Sequence, residues 1–264
     1  MTRWALLFEY DGTPFVGWQR QAVGISVQGV MEEAASHLVG RTAVAVTGAG
    51  RTDSGVHAAG QVAHLDLPSP LGGQQQMTAR RLRDALNYHM KPHPIAVLAA
   101  AVVADKWSAR FSAINRRYRY RILNRAARPA LDQGRVWHVK RELDLDQMRE
   151  AALMLLGQHD FTSFRASACQ AKSPVRTLDR LELCRDGTLI DIHVEARSFL
   201  HHQVRNIVGT LKLVGEGKWT PAQVASALEA RDRAAAGPTA PPDGLFLMEV
   251  GYETDPFIGP AKAS

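Results

Sequence analysis

The sequence predicts an α+β fold made of two halves with a similar order of elements. Segments typical of strands and helices alternate at short spacings along the 264 residues, as in antiparallel sheets that carry packed helices. The first half is ordered roughly β-α-β-α-β, and the second has a similar order of elements without a repeat of residues. We expect residues 1–105 and 106–264 to form the halves, with a cleft between them.

In the first half, apolar and β-rich segments predict strands at residues 4–10, 43–50, 61–67 and 95–104. Apolar side chains from Val27 to Leu38 recur at helical spacing, which predicts a helix. Thr78 is a suitable N-cap for a second helix. The composition of residues 67–76 is typical of a loop.

The second half is predicted to contain a strand, a helix, a hairpin, a second helix and a last strand. These elements fall at residues 116–123, 144–157, 178–200, 201–217 and 244–252. Asp186-Gly187 marks the turn of the hairpin. Residues 233–244 form a loop by composition.

Charge and cysteine content indicate the class of partner and the compartment. A net charge of +6 favours a polyanion such as nucleic acid. Cys169 and Cys184 form no CxxC pair, and two free thiols suit a reducing cytosol. The N-terminal residues lack the apolar core of a signal peptide, and the apolar run at 95–104 is too short to span a membrane. We therefore expect a cytoplasmic protein without a membrane partner.

The segment GAGRTDSGVHAAGQVAH, residues 48–64, is unusual for a simple chain reversal. It is not a P-loop, because Val56 rather than Lys follows the last glycine of the turn, and Asp53 breaks the dinucleotide-binding fingerprint. What remains is a strand and a tight turn with Arg51 and Asp53 at its tip. Two interpretations stay open: a catalytic group carried on a loop, or an Asp that bonds its own backbone.

The strand RRYRYRIL, residues 116–123, separates two kinds of side chain. Because side chains alternate along a strand, Tyr118 and Tyr120 share one face and the arginines between them share the other. The arginine face fits a solvated surface. A tyrosine on the opposite face is able to stack on a nucleobase, which is worth about 1–3 kcal/mol per base.

The segment SFLHHQVRNIVGTLK, residues 198–212, predicts a helix with an apolar inward stripe and Arg205 at its margin. An arginine there needs a carboxylate partner, because an unpaired buried charge is costly. His201 and His202 would point about 100° apart on a helix, so a shared metal is not expected. No other residues in the sequence form a metal-binding pattern.

Additional basic and aromatic groups extend the nucleic-acid interpretation. Arginines cluster in two places, at Arg80, Arg81 and Arg83 and at Arg125 and Arg128. Phe161 and Phe164 lie beside Arg165, where packing in the core is a commoner use of an aromatic ring than base stacking.

Five segments, in order along the chain, resemble the motifs of the tRNA pseudouridine synthase A family. They are GRTDSGVHAAGQVAH (50–64), RRYRYRI (116–122), HDFTSFRA (159–166), SFLHHQVRNIVGTL (198–211) and APPDGLFL (240–247). With the earlier FEYDGT, the similarity runs from Phe8 to Leu245. Two positions differ from the usual pattern, since Ser54 replaces Ala and Gln203 replaces Met.

The resemblance implies an enzyme that converts uridine to pseudouridine at positions 38, 39 and 40 of the tRNA anticodon stem-loop, and a homodimer. It implies two ferredoxin-like halves around one central sheet. By position in the motifs, Asp53 is the catalytic aspartate and Arg51 enters the space that the flipped base leaves. Tyr118 stacks on the uracil, Arg205 pairs with the catalytic Asp, and Leu245 lines the pocket.

The implied reaction needs no cofactor and no metal, because it neither oxidises anything nor adds a group. One carboxylate is enough, acting as a nucleophile at the sugar or the ring, or as a base on the sugar. Two other functions are compatible with parts of the sequence. An RNA-binding module would explain the charge and Tyr118, and an RNA-directed hydrolase would use Asp53 as a base.

Overall fold

The structure, a computed structural model, describes residues 1–69 and 77–258 and consists of two units. The first comprises Met1–Ile114 and Leu247–Ser264, and the second comprises Asn115–Phe246. The chain therefore leaves the first unit, builds the whole of the second and returns to the first.

The first unit is organised on antiparallel strands. They are β1 (Thr2–Tyr10), β2 (Thr47–Gly48), β3 (His57–Leu67), β4 (Ile95–Val102) and, from Leu247 on, β10 (Leu245–Tyr252). Their order is β4-β1-β3-β10, with β2 paired to β3. Leu6, opposite Ala63, belongs to the central strand pair, and both side chains are fully buried. The predicted strands at 4–10, 61–67 and 95–104 are confirmed.

The first unit also contains two capped helices. In α1 (Val27–Leu38) the Ser26 side chain accepts a hydrogen bond from the Gly29 amide, and Val27, Val30 and Met31 are buried. In α2 (Ala79–His89) the predicted cap is confirmed, since the Thr78 side chain accepts from the Arg81 amide. The helices α1 and α2 pack on each other, and α2 also packs on β4.

The predicted strand at 43–50 is wrong for most of its length, because only Thr47–Gly48 pairs with β3. The backbone of Val46 is bound by α1 instead. Its amide donates to Glu32 Oε1 at 3.3 Å, and its carbonyl accepts from Gln28 Nε2 at 3.1 Å. Of the loop predicted at 67–76, residues 70–76 lie outside the described residues.

The second unit also has a mostly antiparallel sheet. Its strands are β5 (Ala113–Asn124, in this unit from Asn115), β6 (Trp137–Val139), β7 (Gly157–Asp160), β8 (Val175–Asp186) and β9 (Leu189–Ala196). Their order is β5-β9-β8-β7, and β6 pairs parallel to β5. The predicted hairpin is confirmed, with Asp186 opposite Leu189 at its end.

Three helices pack together in this unit, and the first of them also packs on β8. They are α3 (Leu145–Leu153), α4 (Gln203–Gly215) and α5 (Pro221–Glu229). Phe161 and Phe164 are fully buried and meet edge to face at 6.1 Å, which confirms their role in the core.

Three details of these helices differ from prediction. The helix predicted at 144–157 is shorter, because α3 ends at Leu153. The helix α4 begins at Gln203 rather than at residue 201, because His202 has a positive φ of 62° and cannot continue a right-handed helix. Sequence analysis missed α5, although Thr220 and Gln223 form a capping box with Pro221 at the first helical position.

Both units combine a sheet with helices, so the predicted α+β class is confirmed. The longest helix in the described residues is α4, with 13 residues. A membrane-spanning helix needs about 20 apolar residues. No described helix meets that requirement.

Candidate active site

In the first unit, the turn between β2 and β3 is anchored on both sides of Asp53. Thr52 is buried, and its hydroxyl lies 2.7 Å from the Tyr10 hydroxyl, while its carbonyl accepts from the Trp18 amide at 3.0 Å. On the other side, the Asp53 carbonyl accepts from the Val56 amide at 3.1 Å. Asp53 is half-buried and Arg51 is exposed. The backbone of Asp53 is thus fixed by hydrogen bonds while Arg51 reaches solvent.

The segment from Gly12 to Trp18 supports this turn by close backbone contact. Gly17 has a φ of +110°, and a side chain there would place its first carbon 2.7 Å from the Thr52 carbonyl oxygen. A side chain at Gly12 would collide with the Val56 carbonyl. These glycines allow two backbone segments to approach more closely than any side chain would permit.

Ser54, one of the two departures from the family pattern, adds to these contacts. Its hydroxyl donates to the Phe15 carbonyl at 3.2 Å, and the Gly55 amide donates to the same oxygen at 3.4 Å. An alanine would lack the first of these hydrogen bonds. The departure therefore tightens the turn and leaves the charged groups unchanged.

His57, the first residue of β3, fixes the start of the supporting segment. It is buried, and its Nδ1 accepts from the Gly12 amide at 3.0 Å. Asp11 Oδ1 lies 3.3 Å from the same nitrogen and accepts from the amide and hydroxyl of Thr13. Sequence analysis missed this contact, which joins two motifs 45 residues apart.

Burial and hydrogen bonding act in opposite directions on Tyr10. Burial raises the pKa of the phenol, and the hydrogen bonds to Thr52 and Gln61 lower it, with a net rise to about 12. The hydroxyl is therefore protonated throughout the physiological range. It is a neutral group that shares a hydrogen bond with the Thr52 hydroxyl.

In the second unit, the predicted alternation along β5 is confirmed. Tyr118 and Tyr120 are buried, and the edge of the Tyr118 ring meets Phe199 at 5.2 Å. On the other face Arg117 is ion-paired with Glu195 at 2.9 Å. That face is thus held in part by charge pairing across the strands and is not simply solvated.

Arg205 joins α4 to the segment that leads into β10. Its Nε donates to the Ala240 carbonyl at 2.8 Å, and its own carbonyl accepts from the Ala240 amide at 3.1 Å. Burial raises the pKa of Tyr120, the Arg205 charge lowers it, and Asp243 raises it further. Arg205 and Asp243 are therefore both close enough to Tyr120 to act on its hydroxyl electrostatically.

Leu245 follows this segment and is buried at the start of β10. Its amide donates to the Pro242 carbonyl at 2.8 Å, and the Gly244 carbonyl accepts from the Arg121 amide at 2.8 Å. The Tyr120 hydroxyl donates to the Pro241 carbonyl at 2.8 Å. Residues 240–245 are thus fixed from both α4 and β5.

Asn206 is a further organising residue that sequence analysis missed. It is fully buried, and its Nδ2 donates to the Phe164 carbonyl at 2.8 Å. Its Oδ1 accepts from Thr239 Oγ1 at 2.6 Å and Arg233 Nη2 at 3.2 Å. A polar residue among the apolar side chains of the helix's inward stripe was the available signal.

Gln203, the second departure from the family pattern, is also buried. Its Oε1 accepts from the Leu200 amide at 2.8 Å, which closes the turn that leads into α4. Its Nε2 has no hydrogen-bond partner among the described residues. A methionine would lack both the hydrogen bond to the Leu200 amide and the buried, unsatisfied Nε2.

The five predicted site residues are divided between the units. Arg51 and Asp53 share one turn in the first unit. In the second unit, Arg205 of α4 bonds Ala240, at the start of the segment that ends at Leu245, and Tyr118 lies on β5 against Phe199.

A search against protein families gives a match that covers most of the chain. The profile described as tRNA pseudouridine synthase matches residues 6–112 and 151–253. The chain belongs to the tRNA pseudouridine synthase family. The matched ranges include Asp53, Arg205 and Leu245, whereas Tyr118 lies between them.

Individual members of the tRNA pseudouridine synthase family are similar over nearly their whole length. The chain is 65% identical over 258 residues to tRNA pseudouridine synthase A of Acidiphilium cryptum (strain JF-5), covering 97% of this chain and 99% of that protein. The protein of the same name from Gluconobacter oxydans (strain 621H) is 58% identical, with coverages of 97% and 92%. For Paramagnetospirillum magneticum (strain ATCC 700264 / AMB-1) the identity is 60% and both coverages are 96%. The resemblance inferred from the motifs is confirmed.

Proposed function

We propose that this protein isomerises uridine to pseudouridine at positions 38, 39 and 40 of the tRNA anticodon stem-loop. The observation that carries the proposal is the anchored Arg51-Thr52-Asp53 turn in a chain of the tRNA pseudouridine synthase family. A carboxylate whose backbone is fixed on buried neighbours is suited to catalysis, because little reorganisation is needed when the substrate binds.

The proposed reaction is balanced without an external reagent. The N1–C1′ bond of the uridine breaks, the uracil turns, and a C5–C1′ bond forms while the hydrogen on C5 leaves as a proton and N1 takes up a proton. We propose Asp53 as the catalytic carboxylate, acting as a nucleophile at C1′ or C6 or as a base at C2′. Neither a cofactor nor a metal is required for these steps.

Other residues are assigned roles that meet the needs of this chemistry. A cation favours the ionised form of a carboxylate, and we assign that role to Arg205. Removing a base from a stem costs a few kcal/mol. Stacking of the uracil on Tyr118 and insertion of Arg51 into the vacated space would offset this cost, and Leu245 would line the pocket.

The assembly and its location form part of the same proposal. We propose that the enzyme acts on tRNA in the cytoplasm as a homodimer. Sedimentation of the purified protein at micromolar concentration should give twice the 29.0 kDa mass of one chain. A species with the mass of one chain would contradict the dimer and leave the chemistry unaffected.

The test follows tritium placed at C5 of uridine in a tRNA transcript, because bond formation at C5 releases it into water. We expect release by the wild type and none by Asp53→Asn. Asp84→Asn is the matched control, since Asp84 is an exposed aspartate on α2, and it should release tritium like the wild type.

The same assay separates the alternatives. Cleaved RNA without tritium release would indicate a hydrolase. Bound, intact tRNA without release from the wild type would indicate a binding module, and either result would overturn the proposal.

A further inference from the structure

A pocket of about 190 Å³ lies within the second unit, apart from the residues assigned above. It is formed where three neighbouring strands end. Its lining consists of Gln158, Val175, Arg176, Thr177, Arg197 and Ser198. Five of these six side chains carry hydrogen-bond donors, two of them guanidinium groups, and none is a carboxylate.

Strand register explains why these residues meet. Gln158 of β7 is opposite Thr177 of β8, and Leu178 of β8 is opposite Ala196 of β9. Because β8 and β9 are antiparallel, Arg197, which follows Ala196, lies beside Thr177. The pocket is therefore built on strands and not on a single loop.

The Arg176 guanidinium is held in place while part of its donor capacity is unused. Its Nη1 donates to the carbonyls of Ser173 and Val175 at 3.0 and 2.6 Å. Its Nε is buried and has no hydrogen-bond partner within the described part of the chain. Burial lowers the pKa of Arg176, opposed only weakly by Cys169. A buried donor of this kind is stabilised by an acceptor that the protein itself does not supply.

Arg197 supplies a second charge with a fixed backbone. Its carbonyl accepts from Arg116 Nη1 at 2.6 Å, while its side chain is exposed. Across the described ranges, neither Arg197 nor Arg176 forms an ion pair with a carboxylate. Two guanidinium groups with flanking hydroxyl and amide donors match the several acceptor oxygens of a phosphate.

We propose that this pocket binds a backbone phosphate of the tRNA substrate. The inference rests on the proposed function, which supplies the RNA. Free phosphate has the same oxygens, but an exposed Arg197 beside a half-buried Arg176 gives a pocket that is open to a phosphate on a larger molecule. The pocket would orient the RNA and would take no part in the chemistry.

The first experiment compares tRNA binding by the wild type, Arg197→Gln and Arg180→Gln over a range of salt concentrations. Arg180 is the matched control, because it is on the same strand as Arg176 and is already paired with Glu182. We expect Arg197→Gln to weaken binding about tenfold and to reduce the slope of log Kd against log salt by about one. Arg180→Gln should leave the slope unchanged. Equal changes in both variants, or none in Arg197→Gln, would overturn the inference.

Ethylation of tRNA phosphates identifies the contact directly. One ethylated phosphate should weaken binding to the wild type and have no effect on binding to Arg197→Gln. If every interfering phosphate affects both proteins equally, the pocket does not contact the backbone.

Inorganic phosphate distinguishes the two sources of the ligand. If it raises the Tm of the wild type and not of Arg197→Gln, while tRNA binding by the two proteins is equal, the pocket holds free phosphate and the RNA assignment is wrong.

Tritium release separates the failure of the pocket assignment from the failure of the proposed function. Release with equal tRNA binding by both proteins overturns only the pocket, whereas a wild type that neither binds tRNA nor releases tritium overturns both.

Discussion

Thr52 is the residue that fixes the turn around Asp53. It is buried between an exposed Arg51 and a half-buried Asp53, and it bonds Tyr10 through its hydroxyl and Trp18 through its carbonyl. The side chain of Asp53, the proposed catalytic residue, is partly exposed and open to a substrate. Its buried neighbour Thr52 supplies hydrogen bonds that hold the turn in place.

The raised pKa of Tyr10 predicts a loss of stability in alkali. The folded protein holds the phenolic proton up to about pH 12, whereas the unfolded chain releases it near pH 10. This contribution is therefore complete below pH 10 and is lost as the pH rises from 10 to about 12. Over that interval the wild type should lose up to about 1.4 kcal/mol per pH unit more than Tyr10→Phe. Urea unfolding at several pH values measures this, and parallel curves for the two proteins would contradict it.

His57 is predicted to position the segment that supports Asp53. His57→Leu removes the acceptor for the Gly12 amide, and leaving that amide unsatisfied should cost about 1–3 kcal/mol of unfolding free energy. His57→Asn retains an acceptor near the position of Nδ1 and should recover most of the loss. Unfolding in urea measures the stability of both variants.

Tritium release distinguishes positioning from simple stability. In His57→Leu, kcat should fall more than KM rises, because the turn is loosened while the groups that bind RNA are unchanged. Recovery of kcat in His57→Asn is expected. Equal kcat in the two variants would mean that the hydrogen bond does not position the turn.

At the scale of elements, α4 and residues 238–245 form one assembly. Arg205 bonds Ala240 twice, Asn206 bonds Thr239, and Gly209 lies against the Pro238 carbonyl. The helix therefore acts on Leu245 through the backbone that precedes it. A substitution on α4 should therefore alter the position of Leu245 even where α4 and Leu245 are not in contact.

Gly209→Ala tests this coupling. The new methyl group would meet the backbone carbonyl of Pro238, which can move only with its whole segment. Gly215→Ala, on the same helix, would instead meet side-chain atoms of Met148 and Leu143 that are able to rotate. We expect Gly209→Ala to lose more unfolding free energy than the 1–3 kcal/mol typical of overpacking, and Gly215→Ala to stay within that range. Thermal unfolding of the two variants decides this, and equal losses would refute the coupling.

The elements that sequence analysis identified are those with a local signal. The spacing of apolar residues predicted α1, the alternation of side chains predicted β5, and Asp186-Gly187 predicted the turn of the hairpin. The failure at residues 43–46 has a tertiary cause, because Glu32 and Gln28 bind a backbone that looked like a strand. The motifs located the Asp53 turn, but not its bonds to Tyr10 and Trp18, which join residues 34 to 42 positions apart and leave no local pattern.

For the whole molecule, the charge of +6 predicts how tRNA binding responds to salt. Neutralising several phosphates releases bound counterions, so affinity falls steeply as salt rises. We expect Kd to weaken by at least about tenfold between 50 and 200 mM NaCl, measured by filter binding at constant pH. A Kd that changes less than about twofold would show that the basic groups of the protein do not contact the phosphate backbone of the tRNA.

The path of the chain has a consequence for synthesis on the ribosome. β3 is bordered by β1 and by β10, and in the first unit β10 starts at Leu247. Gly60 of β3 lies against the Met248 carbonyl, so this neighbour is in close contact. The first unit is thus begun before the second is synthesised and is completed only after it. Until then β2 pairs only with Ala63 and His64 on the side of β3 that later receives β10. The rest of that side is an unpaired edge, and chaperones that shield such edges would bind the nascent chain there.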